Sequence, residues 1–185
     1  MFAALLGFLM AERIVELSLA GRNRRWAMRQ GGRESGRWHY PLLVGMHALF
    51  YASLCLEYAG LSRGWDRFWP LWLLIFLVAQ GVRVWAIASL GRFWNTRIIV
   101  IPGVKPVAKG PYRFIRHPNY AVVAVEIFTV PVMCGAYFTA IFFSALNAIL
   151  LRIRIREEER ALESIGAANL SALPRFMPRY GRRKP

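Results

Sequence analysis

Apolar residues in this chain fall into long unbroken blocks, and its charged residues crowd into the gaps between them. Pro41–Gly60 and Phe68–Leu90 are each long enough to cross a bilayer core, which takes about 20 residues. Met1–Ala20 is a weaker block because Glu12, Arg13 and Glu16 fall inside it. It does not read as a cleaved signal peptide: no positive residue precedes its apolar part, and the basic cluster follows it. Ile115–Ile155 fits either one overlong helix or two short spans broken at Pro131-Val132-Met133-Cys134-Gly135.

Charge placement decides between these. Arg113 and Arg116 precede the block, Arg152, Arg154 and Arg156 close it, and no Lys or Arg lies between. Positive residues stay on the cytoplasmic side of a membrane, so both ends belong there and the block is a hairpin. The fold class that follows is an all-α integral membrane protein with about five transmembrane helices. Of the 25 Lys and Arg, six lie in Gly21–Tyr40, six in Gly91–His117 and nine in Arg152–Pro185. Five spans with the N-terminus outside and the C-terminus cytoplasmic put all three basic segments in the cytoplasm. A hydrophobic content of 56% alongside a net charge of +15 is then no contradiction. Basic segments beside spans set orientation and attract anionic headgroups, so membrane lipids are the expected partners of this charge and nucleic acid is not. Cys55 and Cys134 are isolated in apolar surroundings, so neither a disulfide framework nor a zinc site is expected. Trp65, Trp69 and Trp72 crowd the start of the third span, as in an interfacial belt.

Two dense polar blocks bracket the hairpin. The first is Gly110-Pro111-Tyr112-Arg113-Phe114-Ile115-Arg116-His117-Pro118-Asn119-Tyr120. Gly110-Pro111 reads as a turn, and Pro118 suits a first helical turn because its missing N–H has no partner there. A helix start flanked by snorkelling arginines would explain the block structurally. Its five polar side chains (Arg113, Arg116, His117, Asn119 and Tyr120), set at a helix N-terminus with free N–H groups, also suit an anion such as a carboxylate. The second block, Arg154-Ile155-Arg156-Glu157-Glu158-Glu159-Arg160-Ala161-Leu162, continues the last span, and Arg154 and Glu158 are spaced to pair along it. A solvated helical extension is its plain reading. Beside a basic surface, however, its carboxylates would complement a ligand that carries an ammonium and hydroxyl groups.

These blocks resemble the isoprenylcysteine carboxyl methyltransferase family, with its Gly-Pro-Tyr-Arg…Arg-His-Pro-x-Tyr and Glu-Glu signatures. Leu90-Gly91-Arg92-Phe93-Trp94-Asn95-Thr96, Glu158-Glu159-Arg160-Ala161-Leu162-Glu163 and Pro174-Arg175-Phe176-Met177-Pro178 extend the match over about half the chain. Two departures stand out. Ile165, Asn169 and Ala172 occupy tail positions that are usually aromatic or tyrosine, and Val122 replaces a frequent Gly. Glu12-Arg13-Ile14-Val15-Glu16-Leu17, Arg22-Asn23-Arg24-Arg25-Trp26, Gly31-Gly32-Arg33-Glu34 and His39-Tyr40-Pro41 with His47 resemble a bacterial branch, which implies the bacterial inner membrane. The resemblance implies an S-adenosylmethionine-dependent O-methyltransferase acting on a lipophilic small-molecule or prenylated acceptor. That acceptor is an isoprenylcysteine carboxylate or, in the bacterial branch, an alkylpyrone or alkylresorcinol. It assigns cofactor binding to Gly110, Pro111, Tyr112, Arg113, Arg116, His117, Pro118, Tyr120, Glu158 and Glu159.

Glu12, Arg13, Glu16, Arg83 and Glu126 are costly inside spans, at about 2.5–3.5 kcal/mol each, and need partners. Arg13 can pair with Glu16, whereas Glu126 has no local partner; Asn147 sits inside the fifth span. Interhelical clamps and a polar seam facing a reaction chamber account for them equally. Should the acceptor need a base, Glu126, His47 and His39 are the candidates. Residues 1–90 then form the acceptor side. Residues 91–185 form the cofactor-binding connector, hairpin and tail. Two rivals remain at this point: an NADPH-dependent enzyme resembling the sterol reductases, which share a similar His-Pro block, and a non-catalytic membrane subunit or transporter.

Overall fold

The computed structural model describes residues 1–61 and 64–165. Five helices account for nearly all of the regular structure: α1 (Phe2–Arg29), α2 (Tyr40–Leu61), α3 (Trp69–Leu90), α4 (Pro118–Met133) and α5 (Tyr137–Glu163). The apolar segments Arg37–Gly60, Trp69–Phe93 and Tyr137–Glu163 are long and apolar enough to cross a membrane. α4 is shorter at 16 residues, and α1 carries the charges that set it apart from the other helices.

The hairpin breaks where the sequence indicates. Pro131 sits in the last turn of α4, Gly135 takes a left-handed φ of 72°, and α5 restarts at Tyr137. Pro118 opens α4, in the position where proline costs no hydrogen bond. Two features were not legible in advance. α1 runs past the apolar block, from Ala20 on to Arg29, and a short antiparallel ribbon pairs β1 (Arg33–Ser35) with β2 (Ile98–Val100).

The helices run up and down. At one end Phe2 stacks on Tyr58, 3.9 Å between ring centres, and the Asp66 amide donates to the Met133 carbonyl. There too the Glu57 carboxylate accepts from the amides of Phe138 and Thr139, capping the free N–H groups of α5. The opposite end gathers the end of α1, the ribbon, the connector 91–117, the start of α4 and the end of α5. Among the described residues, the basic segments therefore share one end of the bundle. α4 is the central helix, packed between α3 and α5. Leu9, Leu54, Phe76, Val130, Cys134 and Ala136 form the core at the first end. Leu71, Leu74, Leu77, Val78 and Val84 on α3 point outward, more than half exposed, as side chains that meet hydrocarbon would.

Candidate functional site

At the basic end the two polar blocks meet. Arg116 Nη1 lies 2.8 Å from Glu159 Oε1, and His117 Nε2 lies 3.5 Å from the same oxygen. His117 Nδ1 is 3.9 Å from Glu158. The Tyr120 hydroxyl donates to Glu158 in a short hydrogen bond, and its ring stacks on that of His117. Tyr112 is half-buried nearby; burial, then the Glu158 charge, pushes its phenol above the ordinary value. Arg113 stands outside this cluster, exposed over the Phe114 ring. Gly110 has a packing role. Its φ is 55°, and a Cβ there would fall 2.0 Å from the Ser89 hydroxyl of α3, so only glycine lets the turn close on that helix. Buried Pro111 and Pro118 shape the turn and the start of α4.

Arg154 takes a different partner from the one its spacing indicates. Its Nε donates to the Tyr120 hydroxyl at 2.8 Å and its Nη2 to the Thr96 carbonyl at 2.7 Å, so it braces the connector instead of pairing along the helix with Glu158. Arg160 pairs with Glu157 at 2.9 Å.

The connector is held from α1 as well. Asn23, buried, donates to the carbonyls of Gly91 and Trp94, and Asn95 donates to that of Ala20. The ribbon adds a second brace. Glu34 accepts from Arg97 at 2.5 Å and Arg24 at 3.3 Å, while Ile98 and Val100 pack against Ala161 near the end of α5. Burial raises the affinity of Glu34 for a proton, but the hydrogen bond and charge of Arg97 and the charge of Arg24 outweigh it, leaving its pKa below the usual value. Asn23, Thr96 and Glu34 fall within motifs that the sequence marks by resemblance, but their bracing roles are not legible there because each acts on a partner far along the chain.

Beneath this cluster a cavity of about 310 Å³ opens between α1 and α2, with α4, α5 and the connector behind it. Arg154, Tyr120, Asn119 and Thr96 line it near the basic end; Arg13, Glu16, His47, Tyr51 and Asn147 line it deeper. Tyr120 and Arg154 thus belong to both the cavity and the charged cluster. α1 and α2 touch through Phe2 and Tyr58 at the far end. Along the cavity, Leu17 and Val44 on its two walls are about half exposed, 54% and 51%.

The three candidate bases are placed differently. His47 lines the cavity, and its Nδ1 is 2.8 Å from the Leu43 carbonyl; that contact needs a proton on Nδ1 and leaves Nε2 with the lone pair. His39 is buried against Gly36 and away from the cavity. Glu126, which lacks a partner nearby in sequence, has two across the bundle. Arg13 reaches both of its oxygens at 2.7 Å, and Arg83 makes a short contact to one. Arg83 also meets Glu12 at 3.1 Å and Glu16 at 3.4 Å, and Arg13 meets Glu16 at 2.6 Å. Three carboxylates and two guanidiniums therefore tie α1, α3 and α4 together. Glu126 serves as the clamp at their centre and does not line the cavity.

Comparison with known proteins now has a geometry to refer to. The model of the isoprenylcysteine carboxyl methyltransferase (ICMT) family matches residues 72–164, from within α3 to the end of α5. The uncharacterized protein YpbQ of Bacillus subtilis (strain 168) is 43% identical over 163 residues, covering 88% of this chain and 97% of that one. An uncharacterized protein of Haemophilus influenzae is 23% identical over 158 residues, 85% of this chain and 92% of its own. The cobalt-zinc-cadmium resistance protein CzcN of Cupriavidus metallidurans is 33% identical over 129 residues, 68% of this chain and 53% of its own.

Proposed function

Because this chain belongs to the isoprenylcysteine carboxyl methyltransferase family, a family of membrane methyltransferases, we propose that it transfers the methyl group of S-adenosylmethionine to an oxygen of a lipophilic acceptor. The observation that supports this reading is the meeting of Arg116, His117 and Tyr120 with Glu158 and Glu159 at the mouth of an apolar-walled cavity. The donor set fits the cofactor. Glu158 and Glu159 suit its ammonium and ribose hydroxyls, and Arg116 with the free N–H groups that open α4 suits its carboxylate. Bound there, the cofactor would supply an electrophilic methyl group.

The chain's own residues then have defined tasks. Tyr120 and Arg154 hold the boundary between cofactor and acceptor, and the walls of Leu17, Leu43, Val44 and Leu151 keep water from the reacting oxygen. Alignment of two bound groups contributes most of the acceleration in a displacement of this kind. A carboxylate acceptor, such as a prenylated cysteine, needs no base. Of the three candidate bases for an enol or phenol acceptor, of the alkylpyrone or alkylresorcinol kind, His47 is the one that lines the cavity, at its deeper end and away from Tyr120 and Arg154.

The acceptor reaches the cavity sideways from the bilayer, between α1 and α2, with its tail left among the lipids. The bundle spans the bacterial inner membrane five times, with its basic end cytoplasmic. Binding of S-adenosylhomocysteine to purified protein in nanodiscs tests the core of this reading. Wild type should bind it, and Glu158→Ala, Glu159→Ala and His117→Ala should each weaken binding at least tenfold. NADPH binding in place of S-adenosylhomocysteine, or normal binding by all three variants, would sink it.

A further inference from the structure

The deep end of the cavity holds a polar group that the protein leaves unanswered. Asn147 lies midway along α5, is 1% exposed and lines the cavity. Its Oδ1 is buried without a partner, and no hydrogen bond among the described residues involves its amide. A buried amide left in that condition is a net cost to the fold. Leu146, Leu150 and Leu151 flank it, so a leucine there would extend an apolar stretch at no such cost. At the cavity floor Arg13 is engaged with Glu16 and Glu126, and His47 Nδ1 with the Leu43 carbonyl, and neither of these groups bonds to the Asn147 amide. The amide is therefore not a structural clamp of the kind formed by Glu126.

Depth along the bundle indicates what it is for. Asn147 lies two turns, roughly 10 Å, inward from Arg154 on the same helix. Arg154 and Tyr120 mark the end of the cavity that meets the charged cluster. An acceptor whose reacting oxygen lies at that end places the remainder of its head group toward Asn147. We propose that Asn147 determines acceptor specificity by hydrogen bonding to a second polar group on the head of the acceptor, beyond the oxygen that is methylated. A carboxamide offers a donating NH₂ group and an accepting oxygen, whichever way it is turned. A hydroxyl answers both, and a hydrocarbon answers neither. The acceptor class is thus an amphiphile with at least two oxygen functions on a compact head. This rests on the function proposed above only in deciding which oxygen is methylated.

Binding without any cofactor tests it. The full chain in nanodiscs is titrated with pentadecylresorcinol, which has two hydroxyls, and with pentadecylphenol, which has one. Wild type should bind the resorcinol at least tenfold tighter. Asn147→Leu and Asn147→Ala should bind both probes equally, at the level of the phenol, while Asn147→Gln keeps part of the preference. Asn147→Leu should also melt no lower than wild type, because it removes an unpaired buried amide. Equal affinity of wild type for both probes, a preference that survives in Asn147→Leu and Asn147→Ala, or a lowered melting temperature in both of those variants would overturn the assignment. S-adenosylhomocysteine binding, measured on the same samples, reports separately. Its absence from wild type would remove the methyltransferase reading and leave the probe preference standing.

Discussion

Removing the Glu126 carboxylate would strip Arg13 and Arg83 of their anion on α4 and leave them only Glu12 and Glu16 of α1. Removing one partner of a buried ion pair costs about 3–5 kcal/mol, and the carboxylates that remain hold the loss to the lower end. Glu126→Ala should therefore lower unfolding stability in detergent by about that much, measured against Glu163→Ala on the exposed end of α5, which should change it little. A loss under 1 kcal/mol would place the clamp among ion pairs of no energetic consequence. The partner of Glu126 stands 113 residues away in sequence. Spacing arguments reach three or four residues along a helix, which is why Arg13–Glu16 was legible and Arg13–Glu126 was not. The same limit hid the Thr96 carbonyl from Arg154. By contrast, the local composition of the His117 and Glu158 blocks was enough to foresee that they would meet, because a hairpin of known length brings its two ends together.

Elements were read in proportion to how strongly hydrophobicity marks them. α2 and α3 begin and end within a residue or so of their apolar blocks, and the α4–α5 turn falls at the Pro-Gly break. The ribbon was missed because three-residue strands carry no period to detect. Its stability has a pH signature. Glu34 holds its proton less tightly in the folded protein than the usual 4.5, so its ion pairs stabilise fully above that value and are lost as pH falls through the lower folded pKa. Wild type should lose thermal stability below about pH 4.5 more steeply than Glu34→Gln does. Parallel melting curves of the two proteins from pH 7 to pH 3 would refute this. At the other end, Glu57 caps α5 through two amides and the Thr139 hydroxyl. Glu57→Ala should cost about 1 kcal/mol, read as a lowered melting temperature with unchanged ligand binding.

At the scale of the whole molecule, the five-helix layout places the basic segments together, and their side of the membrane can be tested directly. Single cysteines at Arg29 and Lys105 should be labelled only from the cytoplasm, and one at Asp66 only from outside; the reverse pattern would invert the bundle. Arg63, between α2 and α3, and the tail motif at Pro174–Pro178 lie outside the described residues. A tail left in lipid also predicts that methyl transfer rises with acceptor chain length, each buried CH₂ contributing about 0.8 kcal/mol. Equal turnover of a short soluble acceptor and its long-chain counterpart in liposomes would remove sideways access.

The clamp between α1, α3 and α4 also constrains how the protein is made. α1 leaves the ribosome first, bearing Glu12, Arg13 and Glu16, while Arg83 and Glu126 are not synthesised until much later. Three charges, at about 2.5–3.5 kcal/mol each, make α1 a poor candidate for insertion alone, even with Arg13 and Glu16 paired. In the proposed five-span arrangement it therefore waits at the membrane surface or inside the insertion machinery until α3 and α4 bring its counter-charges. A nascent chain stopped after α2 should therefore leave α1 open to protease, and one extended past Met133 should protect it.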